Sequence, residues 1–486
     1  MYNKPNEQSD THTRHRKEPS TPMTTEEYDV IVIGGGKGGK TLATELGHQG
    51  VKTALIERSA EMIGGTCINL ACIPTKSFIA SARVAHAARH TGKYGIRDGE
   101  TVVEWNLVRQ RVEGIVTGMR EMNRKNFTTS PKLDFILGTA RFINPHVLEV
   151  RELQGGIRQI TAQKIFINTG TRPATPDLPG LAEIGPLALN SESIQRLETL
   201  PRHLVILGGS YVALEFAQMF RFLGSEVTVL ERGAQLLKNE DEDVVAVLAE
   251  VLREDGIDIR LNSAAERVEK DEDGIAVILR GEEATSRVSG SHLLLAVGRA
   301  PNTEELNLTA AGVETDKRGF VRVNEHLETS VSNVWALGDV NGGPQFTHAS
   351  LDDYRIVKAN VFGSGQRTTK DRLIPFTLFT EPELARVGLT EKEARQQALK
   401  IRVAKLPVSA IPRAKTMSET RGLIKAIVDA KTDRILGCTI VSTEAGEILG
   451  AVQMTMIGGL PFHTLRDAVL THPTMVEGFN SLFADF

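Results

Sequence analysis

The stretch Asp29-Val30-Ile31-Val32-Ile33-Gly34-Gly35-Gly36-Lys37-Gly38-Gly39 runs from apolar residues straight into glycines. Val30 to Ile33 lack the in–out alternation of a half-exposed strand. They read as a parallel strand buried on both faces. A helical pattern follows through Leu42, Leu46 and His48, and a second run, Thr53 to Ile56, ends at Glu57. This is a strand–helix–strand unit. Gly34 permits a tight turn, Gly36 lets the backbone approach a pyrophosphate, and Gly39 lets the helix pack closely. Phosphates belong at the helix N-terminus, where free N–H groups and the dipole favour anions. Glu57 is placed to accept hydrogen bonds from an adenosine ribose.

The pattern recurs. Leu204 to Leu207 reads as a strand, Gly208-Gly209-Ser210-Tyr211-Val212-Ala213 as the turn, and Leu214, Phe216 and Phe220 as a helix face. Val227 to Leu230 then ends at Glu231, and in both copies the first glycine lies 23 residues before the glutamate. Ser210 stands where the middle glycine is expected and is small enough to be tolerated. Two such units imply two nucleotide ligands, or one duplicated fold with a lost site. Val147–Ile160 and Ala264–Leu279 are β-rich. From about Arg372, strand-like runs (Gly422–Asp429, Gly437–Ser442) and a helical one (Glu444–Ile457) predict a separate α+β domain. Ala336-Leu337-Gly338-Asp339 is a short apolar strand ending in Gly-Asp, which can offer a carboxylate to a flavin's ribityl chain or pyrophosphate.

A length of 486 residues allows about three or four domains. Hydrophobic residues at 41% and charged residues at 24% are ordinary for a soluble globular protein. A net charge of -4 gives no case for a nucleic-acid partner. No apolar run approaches the roughly 18 residues needed to span a membrane. Residues 1–27 are polar, read as a disordered tail, and lack the apolar core of a signal peptide. A cytoplasmic protein is expected.

There are three cysteines: Cys67, Cys72 and Cys438. In a reducing compartment, two close cysteines point to redox catalysis or metal binding rather than stapling. They lie in Gly64-Gly65-Thr66-Cys67-Ile68-Asn69-Leu70-Ala71-Cys72-Ile73-Pro74-Thr75-Lys76. A five-residue step puts two sulfurs within bridging reach if the segment distorts or begins a helix. A helix N-terminus lowers a thiol's pKa and favours the thiolate. No second Cys or His pair has zinc spacing, so no metal site is expected. Near the end, His472 and Glu477 flank Pro473 and can form an oriented imidazole–carboxylate pair for acid–base work.

Together these residues resemble the flavin-dependent pyridine nucleotide–disulfide oxidoreductases, from Tyr28 to Phe486. The family includes dihydrolipoamide dehydrogenase, glutathione reductase and mercuric reductase. The resemblance implies an α/β chain with two Rossmann-like dinucleotide-binding domains, for FAD and NAD(P), plus a C-terminal α+β dimerisation domain. The implied divisions are 28–175 for FAD and the redox disulfide, 176–298 for NAD(P), 299–370 completing the FAD site, and 371–486 for dimerisation.

The resemblance also implies roles. Cys72 would face the flavin as the charge-transfer thiol, and Cys67 would be the exchange thiol. Lys76 and Glu215 would pair near the flavin's reactive nitrogen, and Asp339 would hold the flavin. His472 and Glu477 would come from the partner in a homodimer. Further candidate cofactor contacts are Gly65, Thr66, Lys76, Thr169, Gly170, Ala213, Arg232, Gly298 and Gly338. Glu231 favours NADH, yet Arg232 and Lys238 resemble an NADPH pattern, so use of both is expected.

Ala410-Ile411-Pro412-Arg413-Ala414 and Leu470-Thr471-His472-Pro473-Thr474 resemble the reactive-chlorine-resistance branch. Glu444-Ala445-Gly446-Glu447-Ile448 and Ser210 are similar to mercuric reductase. No cysteine follows Cys438, whereas mercuric reductases end in a cysteine pair, so mercury reduction is disfavoured. The expected substrate is a small oxidant of the reactive-chlorine or hypothiocyanite kind. The alternatives are a mercuric or copper reductase, and a dihydrolipoamide dehydrogenase-type subunit of a larger complex.

Overall fold

The computed structural model describes residues 1, 25–97, 99–280, 287–370 and 372–486. The apolar run that opens the chain forms the buried end of a strand, Thr25–Ile33. The strand therefore takes in Thr25, Glu26 and Glu27 ahead of Tyr28. Thr25, Glu26 and Glu27 pair with Gln159, Ile160 and Thr161 of strand Ile157–Ile167, and Arg158 grips Glu26 at 2.6 Å. A ladder needs backbone partners rather than apolar side chains, which is why polar residues concealed this strand end. The rest of the expected tail, 2–24, lies outside the described residues.

The first sheet places four parallel strands side by side: Thr53–Glu57, Thr25–Ile33, Ile157–Ile167 and Val334–Ala336. Strand Leu133–Asn144 runs parallel to Thr53–Glu57, and Val147–Glu152 ties it back, antiparallel, to Ile157–Ile167. Ile31, Ala54, Ile165 and Ala336 are fully buried, as covering both faces of a parallel sheet requires. The glycine-turn helix, Lys37–His48, packs on helix Thr347–Val361.

The second sheet is wholly parallel, in the order 258–260, 226–230, 203–207, 292–295, 188–190. Its helix Tyr211–Leu223 follows the second glycine turn. The cysteine helix, Cys72–Arg89, packs against this second-unit helix, so the two units meet where the chemistry is expected. The C-terminal sheet is antiparallel, in the order 376–378, 383–388, 435–442, 423–429, 401–407, with helix Ala445–Ile457 against it. Among the described residues, no helix is long and apolar enough to cross a membrane.

A buried ammonium fastens the second unit to the C-terminal sheet. Lys425 has a side chain only 3% exposed, and its Nζ meets Asp241 at 3.0 Å, Asp243 at 2.9 Å and Glu391 at 2.8 Å. Asp241 also accepts the N–H groups of Glu391 and Lys392. Removing the cation leaves the enclosed Asp241 carboxylate without one, while Asp243 keeps Lys405 and Glu391 keeps Arg395. Lys425→Met is therefore expected to lower stability by about 3–5 kcal/mol in urea unfolding. A loss under about 1 kcal/mol would show that the cluster does not fasten the units.

Candidate active site

The first glycine turn is held from below by one side chain that the sequence pattern did not flag. Asn168 Oδ1 accepts the Gly39 N–H at 2.8 Å, and its Nδ2 donates to Leu337 O at 2.6 Å. Gly34 adopts φ +103, and a Cβ there would lie 2.3 Å from Asn168 O. Only glycine fits that contact. Glu57 Oε2 accepts the Gly35 N–H at 3.0 Å, so this acid also braces the turn from within. Burial raises the Glu57 pKa, against these backbone hydrogen bonds. Gly38 N–H reaches Ser350 Oγ at 3.1 Å, and Gly338 N–H reaches Asp353 at 2.8 Å.

One large cavity, about 1340 Å³, opens above the turn. That exceeds the usual few-hundred to 1,000 Å³ of a small-ligand site and suits a dinucleotide. Gly34, Gly36, Glu57, Gly65, Thr66, Cys67, Cys72, Lys76, Thr169, Gly170, Glu215 and Asp339 all line it. Gly39 and Gly338 do not, because they pack beneath it. Gly208, Ser210, Ala213, Glu231, Arg232 and Gly298 also lie off this cavity, around the second sheet. There Glu231 repeats the bracing of Glu57, accepting Gly209 N–H at 2.7 Å and Gly233 N–H at 2.7 Å.

The cysteine segment does distort. A short helical turn, Thr66–Asn69, breaks at Leu70 and Ala71, and the long helix restarts at Cys72. Both thiols are free and partly buried, and Cys67 donates a hydrogen bond to Cys72. The bond from Cys67 lowers Cys72 to about 6, helped by Thr347 and Lys76 and opposed by burial. The same bond, with burial and the Cys72 charge, pushes Cys67 well up. The first deprotonation of the pair is thus eased and the second made harder.

Lys76 lies one helical turn beyond Cys72. Its Nζ pairs with both oxygens of Glu215, at 2.8 and 2.7 Å, and sits 4.7 Å above the Phe379 ring. The Phe379 N–H also donates to Glu215, at 3.1 Å. Asp339 accepts Thr171 Oγ1 at 2.9 Å, and Arg299 donates to that hydroxyl at 2.7 Å. Burial raises the Asp339 pKa, against the Thr171 bond. His472 Nδ1 meets Glu477 at 2.9 Å, but this ring is 69% exposed and outside the cavity of its own chain. One chain therefore does not bring His472 to the cysteines.

A family model described as pyridine nucleotide-disulphide oxidoreductase matches residues 28–353, and that family's dimerisation domain matches 374–483. The chain belongs to the pyridine nucleotide–disulphide oxidoreductases. It is 43% identical to the probable pyridine nucleotide-disulfide oxidoreductase RclA of Escherichia coli, over 94% of this chain and 99% of that one. It is 32% identical to mercuric reductase of Staphylococcus aureus, over 93% of this chain and 81% of the other. The solved Cu(II) complex of the HOCl-induced flavoprotein disulfide reductase RclA from Escherichia coli superposes with a TM-score of 0.86. There the identity is 42%, over 95% of this chain and 99% of that chain.

As a member of this family, the protein is an FAD-dependent enzyme that uses NAD(P)H, and its C-terminal domain is a dimerisation domain. The cavity fits FAD. Thr169 lines it, and the Thr169 hydroxyl is buried with no partner among the described residues. The glycine-turn helix also begins without a side-chain cap. Sequence reasoning missed Asn168, Thr347, Thr171, Arg299, Ser350 and Asp353. Each acts through a tertiary hydrogen bond, which leaves no spacing signal in the chain.

Thr347 gives the sharpest test of the thiol environment. Its Oγ1 lies 3.3 Å from Cys72 Sγ. A lowered pKa means that Cys72 is thiolate above about pH 6 and protonates as pH falls through that value. Thr347→Val is expected to move this midpoint upward, read from thiolate ultraviolet absorbance in the reduced protein. An unmoved midpoint would remove the hydroxyl as a thiolate donor.

Proposed function

We propose that this enzyme carries electrons from NAD(P)H to the Cys67–Cys72 disulfide and on to a small reactive oxidant of the hypochlorite or hypothiocyanite kind. The observation that carries it is one cavity shared by the glycine turn, the thiol pair and the Lys76–Glu215 pair. Bound FAD supplies the two-electron relay between nucleotide and disulfide. Gly34, Gly36 and Glu57 would hold its phosphate and ribose end, and Asp339, braced by Thr171 and Arg299, would hold its middle. Thr66, Gly65, Thr169, Gly170 and Lys76 line the same cavity and would complete its site.

Gly208, Ser210, Ala213, Glu231, Arg232 and Gly298 form the nucleotide site. The working unit is a cytoplasmic homodimer in which the partner's copies of His472 and Glu477 serve each thiol pair. The exposed but already oriented His472 supports this, as does the dimerisation domain.

The choice of oxidant rests on likeness to RclA, which spans 99% of that protein against 81% of the mercuric reductase. A copper reductase is the second reading, favoured by the Cu(II) complex solved for RclA. A panel of NAD(P)H oxidation with hypothiocyanite, chloramine, Cu(II), Hg(II), lipoamide and glutathione disulfide separates these. The small oxidants are expected to turn over fastest, with either nucleotide. His472→Ala is expected to slow oxidant turnover at least tenfold and leave hydride transfer near normal, in keeping with roughly 10²–10⁴-fold acid–base help. Fast Cu(II) or Hg(II) turnover without oxidant activity would hand the function to a metal reductase.

The thiol roles have a spectroscopic test. Two-electron reduction is expected to give a long-wavelength band with the Cys72 thiolate as donor. Cys67→Ser should keep that band and Cys72→Ser abolish it. The opposite pattern would reverse the two roles.

A further inference from the structure

Leu70 and Ala71, where the cysteine segment breaks, are held from a distant part of the chain. Their N–H groups both donate to Thr66 O at 2.9 Å. The Leu70 carbonyl lacks its ordinary helical partner, because the residue four positions on is Pro74, which has no N–H. Gln195 fills that place. Its Nε2 donates to Leu70 O at 2.8 Å and to Ser191 O at 2.6 Å, so both amide hydrogens are spent on carbonyls.

Gln195 is itself anchored on both sides. It sits on a short 3₁₀ turn, Ile194–Arg196, reached from the edge strand Ala188–Asn190 of the second sheet. Asn190 Oδ1 accepts the N–H groups of Glu192 at 2.8 Å and Ser193 at 2.9 Å, which closes the loop between strand and turn. Ile194 is fully buried, and beyond the turn Trp105 Nε1 donates to Leu197 O at 2.9 Å. The grip on Leu70 thus comes from the second nucleotide unit, 125 residues away in sequence. It lies at the wall of the shared cavity, which Leu70, Ala71 and Ser191 line.

This grip is present while both thiols are free. The kink that the disulfide needs is therefore in place before the bond forms. Ordering that already exists adds no cost to closing the bond, so the two thiols act at a high effective concentration. We propose that Gln195 is a positioning residue for the redox pair: by holding the Leu70 carbonyl it keeps the dithiol kinked and shifts the dithiol–disulfide equilibrium toward the disulfide. The inference rests on Cys67 and Cys72 forming a disulfide in turnover, as proposed above. Forming that bond releases two protons and two electrons from the two thiols, and the electrons pass to the oxidant. A pair biased this way is a stronger reductant toward that oxidant.

The test equilibrates the holoenzyme anaerobically in mixtures of reduced and oxidised dithiothreitol, where each protein disulfide reduced converts one dithiothreitol to its cyclic disulfide. Alkylation and mass spectrometry read the fraction of Cys67 and Cys72 left free. Gln195→Met keeps the length and removes both donors. Its midpoint is expected at a reduced-to-oxidised ratio about fivefold lower than in wild type, in keeping with the loss of one hydrogen bond. Gln195→Glu, which offers acceptors in place of donors, should move the same way. An unchanged midpoint in either variant with its flavin bound would overturn the proposal. Hydrogen exchange on the wild-type protein adds an arm that needs no variant: the Leu70 and Ala71 amides should be equally protected in the dithiol and disulfide forms. Loss of that protection in the dithiol would also overturn it. A wild-type pair that stays as free thiols at every ratio would overturn the disulfide cycle itself, and the inference with it.

Discussion

The ion pair between Lys76 and Glu215 joins two halves of the protein that are 139 residues apart in sequence. Lys76 comes from the cysteine helix and Glu215 from the first helix of the second nucleotide unit. The glutamate is almost enclosed, and its oxygens meet the lysine and the Phe379 N–H. A buried pair of this kind adds little net stability, but losing one partner strands the other. What it contributes is position. It fixes the cysteine helix, and hence Cys72, against the unit that is to bring the nicotinamide.

The chemistry then follows from asymmetry between two identical side chains. Cys72 starts a helix, faces Thr347 and Lys76, and accepts a hydrogen bond from Cys67. Cys67 sits on the short turn before the break, where burial and the neighbouring charge oppose its ionisation. In the proposed cycle the lower thiol rests as a thiolate toward the flavin. The upper one ionises only when a base assists it. That division of labour needs no difference in residue type, only a kink at Leu70 and Ala71.

Local signals made much of this legible in the sequence. Both strand–helix–strand units, with Glu57 and Glu231 at matching places, lie where apolar runs and glycines put them, because a buried parallel strand and a phosphate-binding turn each restrict composition locally. The spacing of Cys67 and Cys72 left open a distorted segment or a helix start, and the structure has both. Two things were not legible. The strand end at Thr25–Glu27 is polar and is held by a distant ladder. Asn168 and Arg299 act on backbone and side chains far away in sequence. That His472 would stand away from the thiols of its own chain came from the family resemblance, since spacing within one chain does not express it. Glu57 and Glu231 also showed a second use, bracing their own turns, that a motif alone does not convey.

The central claim is that electrons leave through the thiol pair and not directly from the flavin. Differential alkylation under anaerobic conditions, read by mass spectrometry after each addition, tests it most directly. A single equivalent of NADH should convert Cys67 and Cys72 from an unreactive disulfide to alkylatable thiols, and a single equivalent of oxidant should make both unreactive again. If the flavin is reduced and then reoxidised by the oxidant while both cysteines stay unlabelled throughout, the account is wrong.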